Sequence, residues 1–253
     1  YLAVDLELMV SMLSMVTNSA DTGNDLALSR ALLVRAQAFH VAARYDLAIP
    51  WYERARFHAN SNDDDSAMSA LMYNRASITV GHYKQIKLAG FGDRLLGFHS
   101  KASVDSVMNY DRLIGNIGLG AYIPLLQAQI ASLDGQAEIA LDIYGREIDV
   151  AIRDQGQARV ESYLLADRGF CHATLGHLEL ALQDVESAAQ AMNSITQIDD
   201  RAATFSRISQ VYEIVGSQKA ADEYSDLARL AWLEFVQLQS RFVEVLLPLG
   251  EHP

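Results

Sequence analysis

Only one cysteine, Cys171, occurs among 253 residues. That excludes a disulfide framework within the chain and suits a reducing, cytoplasmic compartment. Between Phe170 and His172 on a predicted helix, the thiol reads as a buried packing residue rather than a nucleophile. Basic residues are also in deficit, 20 against 32 acidic ones, for a formal net charge of −12. A phosphate-binding surface carries a basic excess, so this segment is not expected to bind nucleic acid. No run of 18 apolar residues occurs, and no membrane-crossing helix or membrane partner is expected. The opening YLAVDLELMVSMLSMV lacks a basic leader and carries Asp5 and Glu7, unlike a signal peptide. It also lacks an initiator Met, and the chain is expected to be part of a longer protein.

The usual carriers of chemistry are missing too. Seven histidines form no H-x-x-x-H or H-E-x-x-H pair, and His172 and His177 stand five apart across a turn. The acidic loop Asn60–Asp65 puts Asp65 and Leu71 where a calcium hand needs Gly and Glu, so it reads as a capping loop. Gly115, Gly118 and Gly120 follow no strand, as a dinucleotide fingerprint would require. G-x-S-x-G and the phosphate-loop motif are absent. The chain is expected not to be an enzyme, with no catalytic residue, cofactor or metal to name.

What is present is a two-helix unit recurring about every 40 residues. Its clearest copies are AQAFHVAARYDLAIPWYERA (36–55), GFCHATLGHLELALQDVESA (169–188) and SQVYEIVGSQKAADEYSDLA (209–228). Each opens on a small residue (Ala36, Gly169, Ser209), followed three later by Phe39, His172 or Tyr212. A turn residue follows, then two alanines seven apart: Ala48 and Ala55, Ala181 and Ala188, Ala221 and Ala228. Small residues at fixed helical positions let two helices approach closely. A hairpin of this kind cannot bury its apolar face alone, so copies must stack.

Helices are predicted at 3–18, 26–42, 45–60, 66–82, 84–91, 121–133, 136–153, 158–175, 178–193, 199–215 and 218–246. Strand-type alternation never persists, so the fold class is all-α. Between Gly90 and Gly120 the pattern is interrupted. Ala89 and Ala140 are 51 apart where the equivalent spacing is otherwise 40 or 41. About ten residues are read as an insertion, with a helix at 103–114, serving either as a binding loop or as a plain extension. The long apolar stretch at 218–247 reads as a C-terminal capping helix, or else as a connector towards a further domain.

The order small–x–x–aromatic, turn, x–x–x–x–Ala, large, Ala resembles the tetratricopeptide repeat. Ala36, Phe39, Ala48, Tyr52 and Ala55 fall on its signature positions, as do Gly169, His172, Ala181, Val185 and Ala188. Ser209, Tyr212, Ala221, Ser225 and Ala228 do so in the last copy, while two intervening copies are degenerate. The resemblance spans about 29–230, with a longer period like the helical-repeat regions of large bacterial regulators. It implies one domain over 1–253, a right-handed α-solenoid of about five degenerate hairpins. It also implies a protein or peptide partner along a concave face of first helices. The repeat register assigns Arg30, Gln37, His40, Tyr73, Tyr122, Gln129, Tyr163, Phe170 and Gln210 to that face. The lysine, asparagine and arginine clamp with which the family's cochaperones hold a terminal carboxylate is not matched.

One recurrence is peculiar to this chain. Arg35, Arg75 and Arg168 precede the small signature residue in three copies. Either they form a ladder aimed at an acidic ligand, or each is half-buried against an acid, with Glu53, Asp167 and Glu186 as candidates. The favoured expectation is a non-catalytic protein- or peptide-binding scaffold, part of a larger bacterial signalling or regulatory protein. The alternatives are an effector-sensing domain that binds a small ligand or peptide, and a helical enzyme with its site in the 90–120 insertion.

Overall fold

The computed structural model describes residues 25–92, 99–115, 122–155, 160–194 and 196–247, together with Leu8, Ser11 and Met15. Ten helices follow one another through the main segments: α1 (Asp25–Val41), α2 (Tyr45–Ser61), α3 (Asp65–Ala89), α4 (Ser100–Ile114) and α5 (Tyr122–Leu133) come first. After them come α6 (Ala137–Gln155), α7 (Glu161–Thr174), α8 (Leu178–Ala191), α9 (Ile198–Val215) and α10 (Gln218–Leu246). No strand occurs among the described residues, and the chain is all-α. Leu8, Ser11 and Met15 are helical; the rest of the helix expected at 3–18 lies outside the described residues.

The acidic loop caps α3, with the Asp64 carboxylate accepting from the Ala67 amide at 2.9 Å. The turn expected near residue 83 does not form, which corrects the sequence reading. His82-Tyr83-Lys84-Gln85 offers no turn chemistry, and α3 continues for 25 residues. It stops at Gly90, whose left-handed backbone (φ 75°) suits a residue without Cβ. The partner of α3 is therefore α4, the helix expected inside an insertion. Val104 and Val107 of α4 share a core with Ala76 and Val80 of α3. The ten additional residues belong to a lengthened hairpin, and Ala89 is not an equivalent of Ala48.

The tight crossings occur where the small residues predicted them. Ala36, Ala48, Ala55, Ala76, Ala140, Ala181 and Ala188 are all fully buried. At Gly169 an added Cβ would lie 3.1 Å from the Ala181 carbonyl oxygen and 3.2 Å from Val185 Cγ1. Helices α7 and α8 thus meet almost backbone to backbone, with no space for larger side chains. Ala181→Leu is expected to destabilise by about 1–3 kcal/mol through overpacking. A urea midpoint unchanged from wild type would show that this crossing is loose.

The helices form two layers. Each odd-numbered helix touches the next odd-numbered one, and α2, α4, α6 and α8 each bridge the odd helices before and after them. Two further contacts link the ends, α3 with α9 and α1 with α10. Helix α10 is a single element of 29 residues. Its first half pairs with α9, while Phe242 and Leu246 join the core of α1 and α2. Across the same contact Gln239 Nε2 donates to the Val41 carbonyl at 2.8 Å. The expected C-terminal cap therefore covers the first hairpin.

Candidate ligand-binding cavity

The odd helices and α10 line a partly open cavity of about 240 Å3. Helix α3 presents a stripe at helical spacing, Tyr73, Ser77, Gly81 and Lys84, all lining it. Gln37 of α1, Gln129 of α5 and Tyr163 of α7 add polar groups, and Phe235 and Phe242 of α10 close an apolar wall. Tyr73 and Tyr122 meet edge to face across one side, with ring centroids 5.9 Å apart.

Among the described residues, charge enters from two helices. Lys84 Nζ lies 2.6 Å from Asp200 Oδ1, both side chains being less than a tenth exposed. The same ammonium sits 4.3 Å from the Tyr163 ring centroid. Burial disfavours the lysine charge, yet Asp200 and then Asp199 hold its pKa above the ordinary value. Asp199 stands beside this pair in the first turn of α9. Burial and then the adjacent Asp200 push its carboxyl up to about 6, against the pull of Lys84. Its Oδ1 and the Tyr163 hydroxyl are both buried without a hydrogen-bond partner. Orphaned buried polar atoms are rare and call for an explanation.

A second buried network supports the cavity from behind. Asp167, wholly buried, accepts from Arg207 Nε (2.6 Å), Ser132 Oγ (2.9 Å) and the Tyr144 hydroxyl (2.5 Å). Arg207 also donates to Ser132 Oγ and to Gln210 Oε1, both at 2.9 Å, and stacks 3.9 Å from the Phe170 ring centroid. Both oxygens of this carboxylate thus accept hydrogen bonds, from donors on α5, α6 and α9. Cys171 packs nearby, and burial and then Asp167 raise its thiol to about 12, which makes it a core residue.

Of the nine residues assigned to the concave face, Gln37, Tyr73, Tyr122, Gln129 and Tyr163 converge on the cavity. Three of them are buried: Gln37, Gln129 and Tyr163 are 7%, 8% and 1% exposed. The other four lie elsewhere. Arg30 is exposed, and Phe170 and Gln210 hold Arg207. His40 is buried in the first hairpin, its Nδ1 3.1 Å from the Tyr52 hydroxyl and its carbonyl accepting from His82 Nε2 at 2.7 Å. Burial, then His82 and Arg75, press its pKa down to about 2, so it stays neutral. Lys84, Asp199 and Asp200 escaped the sequence reading. Lys84 continues the Tyr73–Ser77 stripe by helical spacing, but the expected break at 83 removed it from that face. Asp199 and Asp200 read as ordinary acids of a helix start.

The arginines form no ladder. Arg35 is buried with its guanidinium 3.6 Å from the Trp51 ring centroid, Arg75 is exposed and bonds the Tyr45 hydroxyl, and Arg168 grips Asp184 at 2.8 and 2.5 Å. Of the acids expected to pair with them, Asp167 is taken by Arg207.

No protein-family model matches the chain, and no curated protein and no solved structure matches it either.

Proposed function

We propose that this chain is a non-catalytic sensing domain of a larger regulatory protein, and that a small effector binds in its central cavity. The architecture in this reading is a right-handed α-solenoid of tetratricopeptide type, curled until its ends touch. The observation that carries the reading is the cavity itself, to which α1, α3, α5, α7, α9 and α10 all contribute. A volume of about 240 Å3 is just below the roughly 300–1,000 Å3 of ordinary ligand pockets. It therefore suits a small molecule rather than an extended peptide. Because the ligand would touch the first and last hairpins together, binding would tighten the curl, and a fused output domain could read that change.

The test is a small-fragment mixture screened by saturation-transfer NMR and thermal shift. Wild-type chain is expected to yield hits that raise Tm, reflecting a stabilisation of about 2.7 kcal/mol at a hundredfold excess over Kd. Ala38→Phe, which fills the cavity from α1, is expected to abolish them while circular dichroism stays helical. Hits that persist in Ala38→Phe, or no hits in either protein, would remove the reading.

A protein partner remains the second reading, now on the outer surface. Leu227, Leu230 and Leu233 of α10 are 42%, 55% and 49% exposed, unusual for one stretch of helix. Under this reading Leu230→Asp abolishes partner capture and leaves cavity binding intact. Capture that survives the change would exclude this surface.

A further inference from the structure

Resting on the cavity reading above, we propose that the effector is a small organic cation: an ammonium group on an apolar body, with Asp199 as counter-ion and the Tyr163 hydroxyl as a second hydrogen-bond partner. The charge inventory of the walls carries the argument. Helix α3 supplies one cation, Lys84, and α9 supplies two carboxylates, Asp199 and Asp200. Among the described residues, no charged residue lines the cavity from α1, α5, α7 or α10.

Lys84 and Asp200 neutralise each other at 2.6 Å, so Asp199 is the surplus charge. One of its oxygens is buried with no donor. A carboxylate oxygen shut off from water without a donor is costly, and an incoming N–H donor that also brings positive charge relieves both deficits at once. An anionic ligand would have to break the Lys84–Asp200 pair to find a cation. A neutral donor would satisfy the orphan oxygen but leave the charge uncompensated. The net charge of −12 adds a long-range bias towards cations.

A bare metal ion fits less well. A hard divalent cation takes about six to eight oxygen ligands, and no cluster of three His, Cys, Asp or Glu suited to a metal occurs among the described residues. Leu125, Leu126, Phe235 and Phe242 instead line a wall for a hydrocarbon or aromatic body, and the Tyr73–Tyr122 pair adds ring faces able to attract a cation. Titration gives independent support. With its carboxyl held up at about 6, Asp199 is mostly ionised at pH 7.5 and mostly protonated at pH 5. Lys84 and Asp200 are the charged groups that face it, and His82 spends Nε2 on the His40 carbonyl.

The experiment is isothermal titration calorimetry of the whole chain at pH 7.5 with three probes that share one ring: benzylamine, benzyl alcohol and benzoate. Benzylamine is expected to bind at least about tenfold more tightly than benzyl alcohol, a difference of ~1.4 kcal/mol, with benzoate weakest. The near-isosteric Asp199→Asn is expected to erase the preference for the amine while retaining the alcohol. In wild type, amine affinity is expected to fall several-fold between pH 7.5 and pH 5, and alcohol affinity to stay flat. Equal binding of amine and alcohol, or a preference for benzoate, would overturn the cation assignment and leave the cavity reading standing. An amine preference that persists in Asp199→Asn and is flat with pH would overturn the role of Asp199. If no probe binds wild type and Ala38→Phe behaves identically, both proposals fail together.

Discussion

Asp167→Ala is expected to cost about 3–5 kcal/mol, measured as a shift in the urea unfolding midpoint at constant slope. The carboxylate has no exposed surface, and Arg207 opposite it is 3% exposed. Removing the acid strands a guanidinium in the core and takes the acceptor from Ser132 and Tyr144 together. The penalty comes from the orphaned partner more than from the pair, so Asp167→Leu combined with Arg207→Met is expected to recover a large part of it. A loss below about 1 kcal/mol, the size of an exposed ion pair, would mean that water or a rearrangement reaches the site.

Lys84→Met is expected to cost a similar amount at pH 7, about 3–5 kcal/mol, with a different pH dependence. Without the ammonium, half-buried Asp199 and buried Asp200 are neighbouring carboxylates with no other lysine or arginine lining the cavity among the described residues. The folded-state pKa of Asp199 already stands above its unfolded value, so the folded chain takes up this proton before the unfolded chain does. Stability from this group therefore increases as pH falls through about 6, and is lost as pH rises through the same range. The variant lacks the lysine that restrains this shift, so its deficit is expected to narrow between pH 7 and pH 5. Denaturant titrations at the two pH values check this. A deficit that is constant or grows on acidification would contradict the assigned charges.

Much of the local fold was legible from residue spacing. The alanines at 36, 48, 55, 181 and 188 mark where helices touch, because a close approach demands a small side chain and a hairpin repeats that demand at a fixed interval. For the same reason the bounds of α1, α2, α5, α9 and α10 lie within a residue or two of their expected positions. The spacing misled at α3. Ala89 fell on the period by coincidence, and a helix with no breaker simply continued to Gly90. That error also removed Lys84 from the face it shares with Tyr73 and Ser77.

The all-α class and the hairpins α1–α2, α5–α6, α7–α8 and α9–α10 were thus legible in the sequence alone, since each depends on contacts within one or two helical turns or across one hairpin. Closure of the cavity was decided only in three dimensions. It depends on Lys84 meeting Asp200, 116 residues away, and on Gln239 meeting Val41, 198 residues away. Both contacts join residues far apart in the sequence, and no local pattern records such a meeting. The orphaned oxygen of Asp199 is a product of the same closure, because an acid at a helix start is ordinary until the fold removes it from water.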